Sequence, residues 1–241
     1  MYWPEVHDLA VFYQSKLGKA ACSSITRHIK NIWPEKQRQG ITLGIGYALP
    51  YLPLFAANKK LVAAIMPPAQ GALNWPNNGK NLSLMSKETC LPFADEEASK
   101  IIVCHALEHT EQPKLMLREI WRILSPQGRV LIIVPNRLGL WARAEHTPFG
   151  FGHPFSPLQL NNLSSEENFS GLKITGALFM PPVKSKSLMK LAGSLTKISS
   201  LLPTALSGIL ILEAQKKLPA LIKSKQEYKK SEPAYGTAVI N

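Results

Sequence analysis

Two histidines, His109 and His153, are the residues of this 241-residue chain best placed to take a proton from a bound molecule. Imidazole titrates closest to neutrality, which suits it to general-base work. Each can equally be structural, capping a helix or bonding a loop carbonyl. His105 ends the apolar run Lys100–Cys104 and reads as a wall of a ligand site rather than as a base. Earlier, Leu43-Gly44-Ile45-Gly46-Tyr47-Ala48 closes another apolar run. Small residues there permit a tight turn and close approach of backbone to a ligand, although glycine pairs also make plain turns. Asn136 follows the run Arg129–Val134, and Trp141, Phe149, Phe151 and Phe155 follow on one long loop. Those aromatics can line an apolar acceptor pocket or pack their own loop onto the protein.

These groups need a scaffold, and hydrophobic periodicity predicts one. Residues 5–33 read as helical, up to Trp33-Pro34. Short apolar runs at 41–46, 61–66, 81–85, 100–104 and 129–134 read as buried strands, with late strands at 172–179 and 209–213. A helix is expected over 111–124, stopped by Ser125-Pro126-Gln127-Gly128, another after the Ser156-Pro157 start signal, and an amphipathic, lysine-bearing one around 187–202. Alternating strands and helices predict an α/β fold with a mostly parallel seven-stranded sheet and helices on both faces. Ligands bind such sheets beyond the strands' carboxyl ends, here just after Gly46, Met66, Cys104 and Val134.

Composition narrows the classes. Apolar residues make up 45% and charged residues 18%, a globular balance. Cys22, Cys90 and Cys104 are odd in number and form no CxxC pair, so neither a disulfide framework nor a cysteine zinc site is expected; no metal site is predicted. No signal peptide or spanning stretch is read, and a cytoplasmic setting fits best. Most of the +12 net charge lies between Lys184 and Lys230. That region lacks the interleaved aromatics of a specific nucleic-acid reader, and either is solvated or touches anionic membrane peripherally. Oligomeric state is not legible.

The segment Cys90–Asn136 carries the most specific pattern: Leu91-Pro92-Phe93-Ala94-Asp95, a strand, His105-Ala106-Leu107-Glu108-His109, a helix with Glu119 and Arg122, Leu124-Ser125-Pro126-Gln127-Gly128, a strand, then Pro135-Asn136. In order and spacing it resembles the methyltransferase type 11 family of class I S-adenosylmethionine-dependent methyltransferases, with weaker agreement from about Ile41 to Glu213. The resemblance implies a Rossmann-like class I methyltransferase fold and S-adenosyl-L-methionine as cofactor, contacted by Gly44, Gly46, Ala48, Met66, Lys87, Glu88, Cys104 and His105. Leu91 and Phe93 would flank the adenine. Asn136, Trp141, Phe149 and Phe155 would face a small or lipid-like acceptor. Residues 41–215 form the expected domain, with 1–40 a helical extension, 181–203 an inserted basic helix and 216–241 a loosely ordered tail.

The resemblance has gaps. The family's acid in the glycine-rich segment falls on Thr42 or Gly44, the acid closing the second strand is missing at Ile65-Met66-Pro67-Pro68, and the acid before LPF falls on Lys87, beside Glu88. An active but divergent enzyme is the leading expectation, and a non-catalytic interaction protein that has lost its cofactor is the alternative. A nicotinamide oxidoreductase fits poorly, because no third glycine completes the dinucleotide fingerprint.

Overall fold

The computed structural model describes residues 3–34, 40–56, 61–183 and 203–217. Two helices open the chain, α1 (Val6–Gln14) and α2 (Lys16–Ile32). The single helix expected over residues 5–33 is broken at Ser15, whose extended backbone and side chain cap α2 by accepting from Gly18 N.

The strands β1 (Thr42–Gly46), β2 (Val62–Met66), β3 (Ser83–Met85), β4 (Ala98–Cys104), β5 (Leu124–Pro135), β6 (Phe169–Ala177) and β7 (Ile209–Lys216) form one sheet. Its order is β3-β2-β1-β4-β5-β7-β6. The first five strands run parallel, and β7 pairs antiparallel with β5 and β6. This is the expected Rossmann-like, mostly parallel, seven-stranded sheet with helices on both faces. The order reverses between β1 and β4, so the ligand crevice of such a sheet lies above Gly46 and Cys104.

Strand alternation divides the core in two. Leu43, Ile45, Ile101, Val103, Val130, Ile132, Leu210 and Leu212 pack against α3 (Pro113–Ile123) and α4 (Pro157–Glu166). The opposite set, including Ile102, Cys104, Leu131, Ile133, Ile209 and Ile211, packs against α1, α2 and Trp33. Among the described residues β1 and β2 are joined by a single 3-10 turn, Leu52–Leu54, and by no α-helix. The N-terminal helices cover that face instead, burying Leu9, Leu17, Ile25, Ile29 and Trp33 against it.

Several boundaries move. Strand β5 begins at Leu124, directly after α3, because Ser125–Gly128 forms an irregularity between the Ala98 and Lys100 pairings. Strand β6 ends at Ala177, before the positive φ of Leu178. Ser156 and Gln159 make a reciprocal capping box on α4, as the start signal predicts. The basic helix expected around residues 187–202 and nearly all of the 216–241 tail lie outside the described residues. No described helix is long and apolar enough to cross a membrane.

Candidate functional site

The crevice is built where β1 and β4 end. Gly46 has φ +74°, and a Cβ there would lie 2.4 Å from Cys104 O and 2.8 Å from Ala106 Cβ. Gly44 is equally confined, its absent Cβ 2.8 Å from that of Ala48. Both glycines are thus required by close approach of the chain to itself. Tyr47 N donates to Cys104 O at 2.8 Å, tying the turn after β1 directly to the end of β4.

Above that tie lies an aromatic cluster contributed largely by segments outside the sheet. Tyr13 of α1 reaches in: its hydroxyl shares hydrogen bonds with His105 Nε2 (2.9 Å) and the Tyr51 hydroxyl (3.1 Å). The Tyr13 ring stacks on Tyr47 at 5.4 Å, and His105 lies 4.7 Å from Phe149. Burial pushes the Tyr13 and Tyr51 phenols well above their ordinary range and Tyr47 to about 12, so all three stay protonated at neutral pH. Burial also raises the Cys104 thiol, which leaves it an inert core residue. Gln70 latches the arrangement, accepting from Val6 N through its backbone carbonyl and donating through its side-chain Nε2 to His105 O.

Below Tyr13 the turn 105–109 buries an ionic group. Glu108 is 1% exposed; its Oε2 accepts from Ala106 N, and its Oε1 lies 3.5 Å from His105 Nδ1 and 3.9 Å from His109 Nε2. Burial alone would raise this carboxyl, but the His105 imidazole, followed by His109, outweighs it and holds Glu108 below its usual range.

The crevice continues outward as a cleft of about 480 Å³ beyond the ends of β2, β3 and β4. Trp3, Pro68, Ala69, Lys87, Glu88 and Thr110 are among its walls, and Glu88 accepts from the Thr110 hydroxyl at 2.8 Å. The sequence-predicted cofactor residues therefore separate. Lys87 and Glu88 line this open cleft, whereas Met66, Cys104 and His105 are fully buried and Ala48 nearly so. Leu91 and Phe93 join the core on the α3 face and do not line the cleft.

Of the expected acceptor residues, Asn136 is buried and its amide donates to Ser207 O at 2.8 Å, knitting the loop after β5 to the approach to β7. Trp141 is also buried, donating to Met180 O. Phe149 faces His105, and half-buried Phe155 bridges to Asn136 as a short parallel pair. His153 is exposed, but its backbone N donates to Glu108 O, so its loop is fastened to the turn that carries buried His109. Tyr13, Tyr47, Tyr51 and Gln70 were not singled out in the sequence. The spacing of Tyr47 and Tyr51, one helical turn apart beside the glycines, is the signal that would have found two of them.

Beside the cleft, the Glu119–Arg122 pair does more than an isolated surface ion pair. Glu119 accepts from Leu91 N and Arg122, while Arg122 also donates to Leu91 O, Phe93 O and Asp95. The network clamps the 91–95 segment onto α3.

Comparison with known proteins agrees with this architecture. Residues 41–132 match the family described as methyltransferase domain. A crystal structure of an S-adenosylmethionine-dependent methyltransferase from Thermotoga maritima, possibly a histamine N-methyltransferase, superposes with a TM-score of 0.61 at 16% identity, covering 88% of this chain and 96% of its own. Phosphoethanolamine N-methyltransferase 2 from Haemonchus contortus, solved with S-adenosyl-L-methionine, gives 0.51 at 11% identity over 80% of this chain and 52% of its own. The 4+2 cyclase SpnF gives 0.56 at 14% identity over 91% and 98%. A search of curated protein sequences finds no match. At these identities the structures establish a fold that carries more than one chemistry.

Set against that fold, the residues present fit one half of S-adenosylmethionine. The outer cleft has the size of a ligand site, with an aromatic and a proline wall and polar groups from Lys87, Glu88 and Thr110. The methionine half, expected beside His105, does not fit the chain as packed, because Tyr13, Tyr47 and Phe149 already fill that space.

The clamp gives a pH signature. Arg122 first, then the Leu91 amide, lower the Glu119 carboxyl below its ordinary value of 4.5 against a smaller opposing effect of burial. A carboxyl depressed on folding contributes stability that is present above its unfolded value and lost as pH falls through the folded one. Glu119→Gln should therefore be less stable than the parent at pH 6–7, with the difference shrinking below about pH 4.5. Urea unfolding followed from pH 3 to 7 reads this; a difference independent of pH would contradict it.

Proposed function

For a chain that has the class I S-adenosylmethionine-dependent methyltransferase fold and carries the methyltransferase domain at residues 41–132, we propose methyl transfer from S-adenosylmethionine to a small or lipid-like acceptor, with α1 lifting Tyr13 out of the crevice before the cofactor is fully seated. The observation that carries this reading is the outer cleft. It stands beyond β2, β3 and β4 at the sheet's carboxyl edge and presents Glu88 one residue from the family's acidic position.

Trp3, Pro68, Lys87 and Glu88 would hold the nucleoside, and Cys104, His105 and the turn at Gly46 would bound the methionine end. When bound, the cofactor supplies an activated methyl group. Alignment in a water-poor site accounts for most of the acceleration such a transfer needs, and the buried aromatic wall of His105 and Phe149 provides that environment. If the acceptor must lose a proton, His109 and His153 are the candidate bases. The acceptor would enter past the 137–155 loop, where half-buried Phe155 offers apolar surface.

Moving Tyr13 is costly. Exposing a buried aromatic ring and giving up two hydrogen bonds costs about 3–5 kcal/mol, equivalent to an apparent affinity roughly 10²- to 5 × 10³-fold weaker. That cost favours a second reading, a Rossmann-like interaction protein whose own aromatic residues have taken the cofactor's place. Calorimetric titration with S-adenosylhomocysteine separates the two. Tyr13→Ala, shown to be folded by circular dichroism, should bind at least tenfold more tightly than the parent, and the parent should show radiolabelled methyl transfer at millimolar S-adenosylmethionine. A folded Tyr13→Ala chain that gives no heat at millimolar ligand would establish the second reading.

Peripheral contact with anionic membrane through the basic C-terminal part is also proposed, supported by the lysines between Lys184 and Lys230 alone. The chain should float with anionic vesicles at low salt and detach as salt rises; failure to float at low salt would remove the proposal.

A further inference from the structure

The buried turn 105–109 holds more than a wall of the crevice. His105 Nδ1, Glu108 Oε1 and His109 Nε2 come from residues i, i+3 and i+4 of one short turn and lie within 4.8 Å of one another. None of the three residues is more than 1% exposed. Among the described residues no arginine or lysine is paired with Glu108. His105 Nδ1 and Glu108 Oε1 are fully buried polar atoms without a well-formed hydrogen bond, pointing at each other across 3.5 Å. Burying such atoms is costly unless something bridges them.

We propose that His105, Glu108 and His109 bind a first-row divalent transition-metal ion, zinc by ligand number and type. Two imidazoles and a carboxylate are the ligand set of many zinc and non-haem iron sites, and three protein ligands leave a position open for water or a bound molecule. Zinc at about 2.0–2.2 Å from each atom would set neighbouring ligands roughly 3.3–3.6 Å apart. The His105–Glu108 separation of 3.5 Å already meets that, the Glu108–His109 separation of 3.9 Å requires an inward shift of a few tenths of an ångström, and the two histidine nitrogens, within 4.8 Å of each other, must close to the same range.

The surroundings suit ligation. A metal on Nδ1 of His105 requires the proton on Nε2, which then donates to the Tyr13 hydroxyl 2.9 Å away, and Tyr13 in turn meets Tyr51. Such an outer partner fixes the ring and its tautomer. On the other side Gly152, at φ +79°, brings its loop so close that a Cβ would lie 2.5 Å from Glu108 O and 2.8 Å from His109 Nδ1. His109 N and Thr110 N both donate to Ala106 O, which holds the turn in shape. The ion would reach the site from the outer cleft, where Trp3 stands 5.6 Å from the His109 ring.

The test does not involve S-adenosylmethionine, so its result is read apart from the methyltransferase reading, within which an ion on His109 leaves His153 as the candidate base. Metal content of the purified chain is measured by inductively coupled plasma mass spectrometry. Chelator-treated protein is then titrated with Zn²⁺, Fe²⁺ or Co²⁺ in separate arms. About one ion per chain is expected, with Tm rising roughly 5–10 °C at a hundredfold excess over Kd. The Co²⁺ arm should develop visible absorption bands. Glu108→Gln and His109→Ala should bind at least tenfold more weakly, and Tyr13→Phe about 10- to 100-fold more weakly. No thermal shift in any arm together with no retained metal would overturn the proposal, as would an ion that the Glu108→Gln chain holds as tightly as the parent.

Discussion

Burial of the Tyr13 side chain at the carboxyl edge of the sheet is the contact on which the rest of the structure depends. Its hydroxyl meets His105 and Tyr51, and its ring packs on Tyr47, so one side chain joins α1, the turn after β1 and the end of β4. The glycines that usually open a nucleotide crevice are here pressed against the chain's own carbonyls, with Gly46 too close to Cys104 O for any side chain. A β1–β2 connection with only a 3-10 turn among its described residues would leave one sheet face bare, and α1 and α2 cover it. Packing of the N-terminal helices and closure of the crevice are therefore one event, driven largely by burial of apolar surface.

The fold was legible because its signals are local. Parallel strands buried on both faces read as continuous apolar runs, and β1, β2, β4 and the core of β5 follow such runs closely. Turn chemistry placed the start of α4 through Ser156 and Pro157. The break at Ser15 is not legible because apolar residues keep recurring every three to five positions through 9, 12, 17, 20 and 25, while a serine with extended backbone interrupts the helix without glycine or proline.

The site was only half legible. Motif spacing located its floor, from Gly44 to His109, since consecutive residues at strand ends must occupy the sheet's edge. What fills it comes from 38 and 92 residues away, as the Tyr13–Tyr51 and Tyr13–His105 bonds show. No periodicity within α1 distinguishes a tyrosine that plugs a crevice from one that packs a core. The absent acids were visible in the sequence. Their physical counterpart, a phenol and an imidazole satisfying each other where a charged ligand would otherwise be held, required three dimensions. Likewise Leu91 and Phe93, read as flanking an adenine, are drawn into the α3-side core by the Glu119–Arg122 clamp.

Hydrogen–deuterium exchange of the amides in residues 6–14, with and without saturating S-adenosylhomocysteine, tests the crevice most directly. If Tyr13 keeps it shut and must leave for the cofactor to enter, those amides are protected in the free chain and exchange faster in the complex, while residues 86–89 slow down. A bound complex in which α1 stays as protected as before would contradict the account.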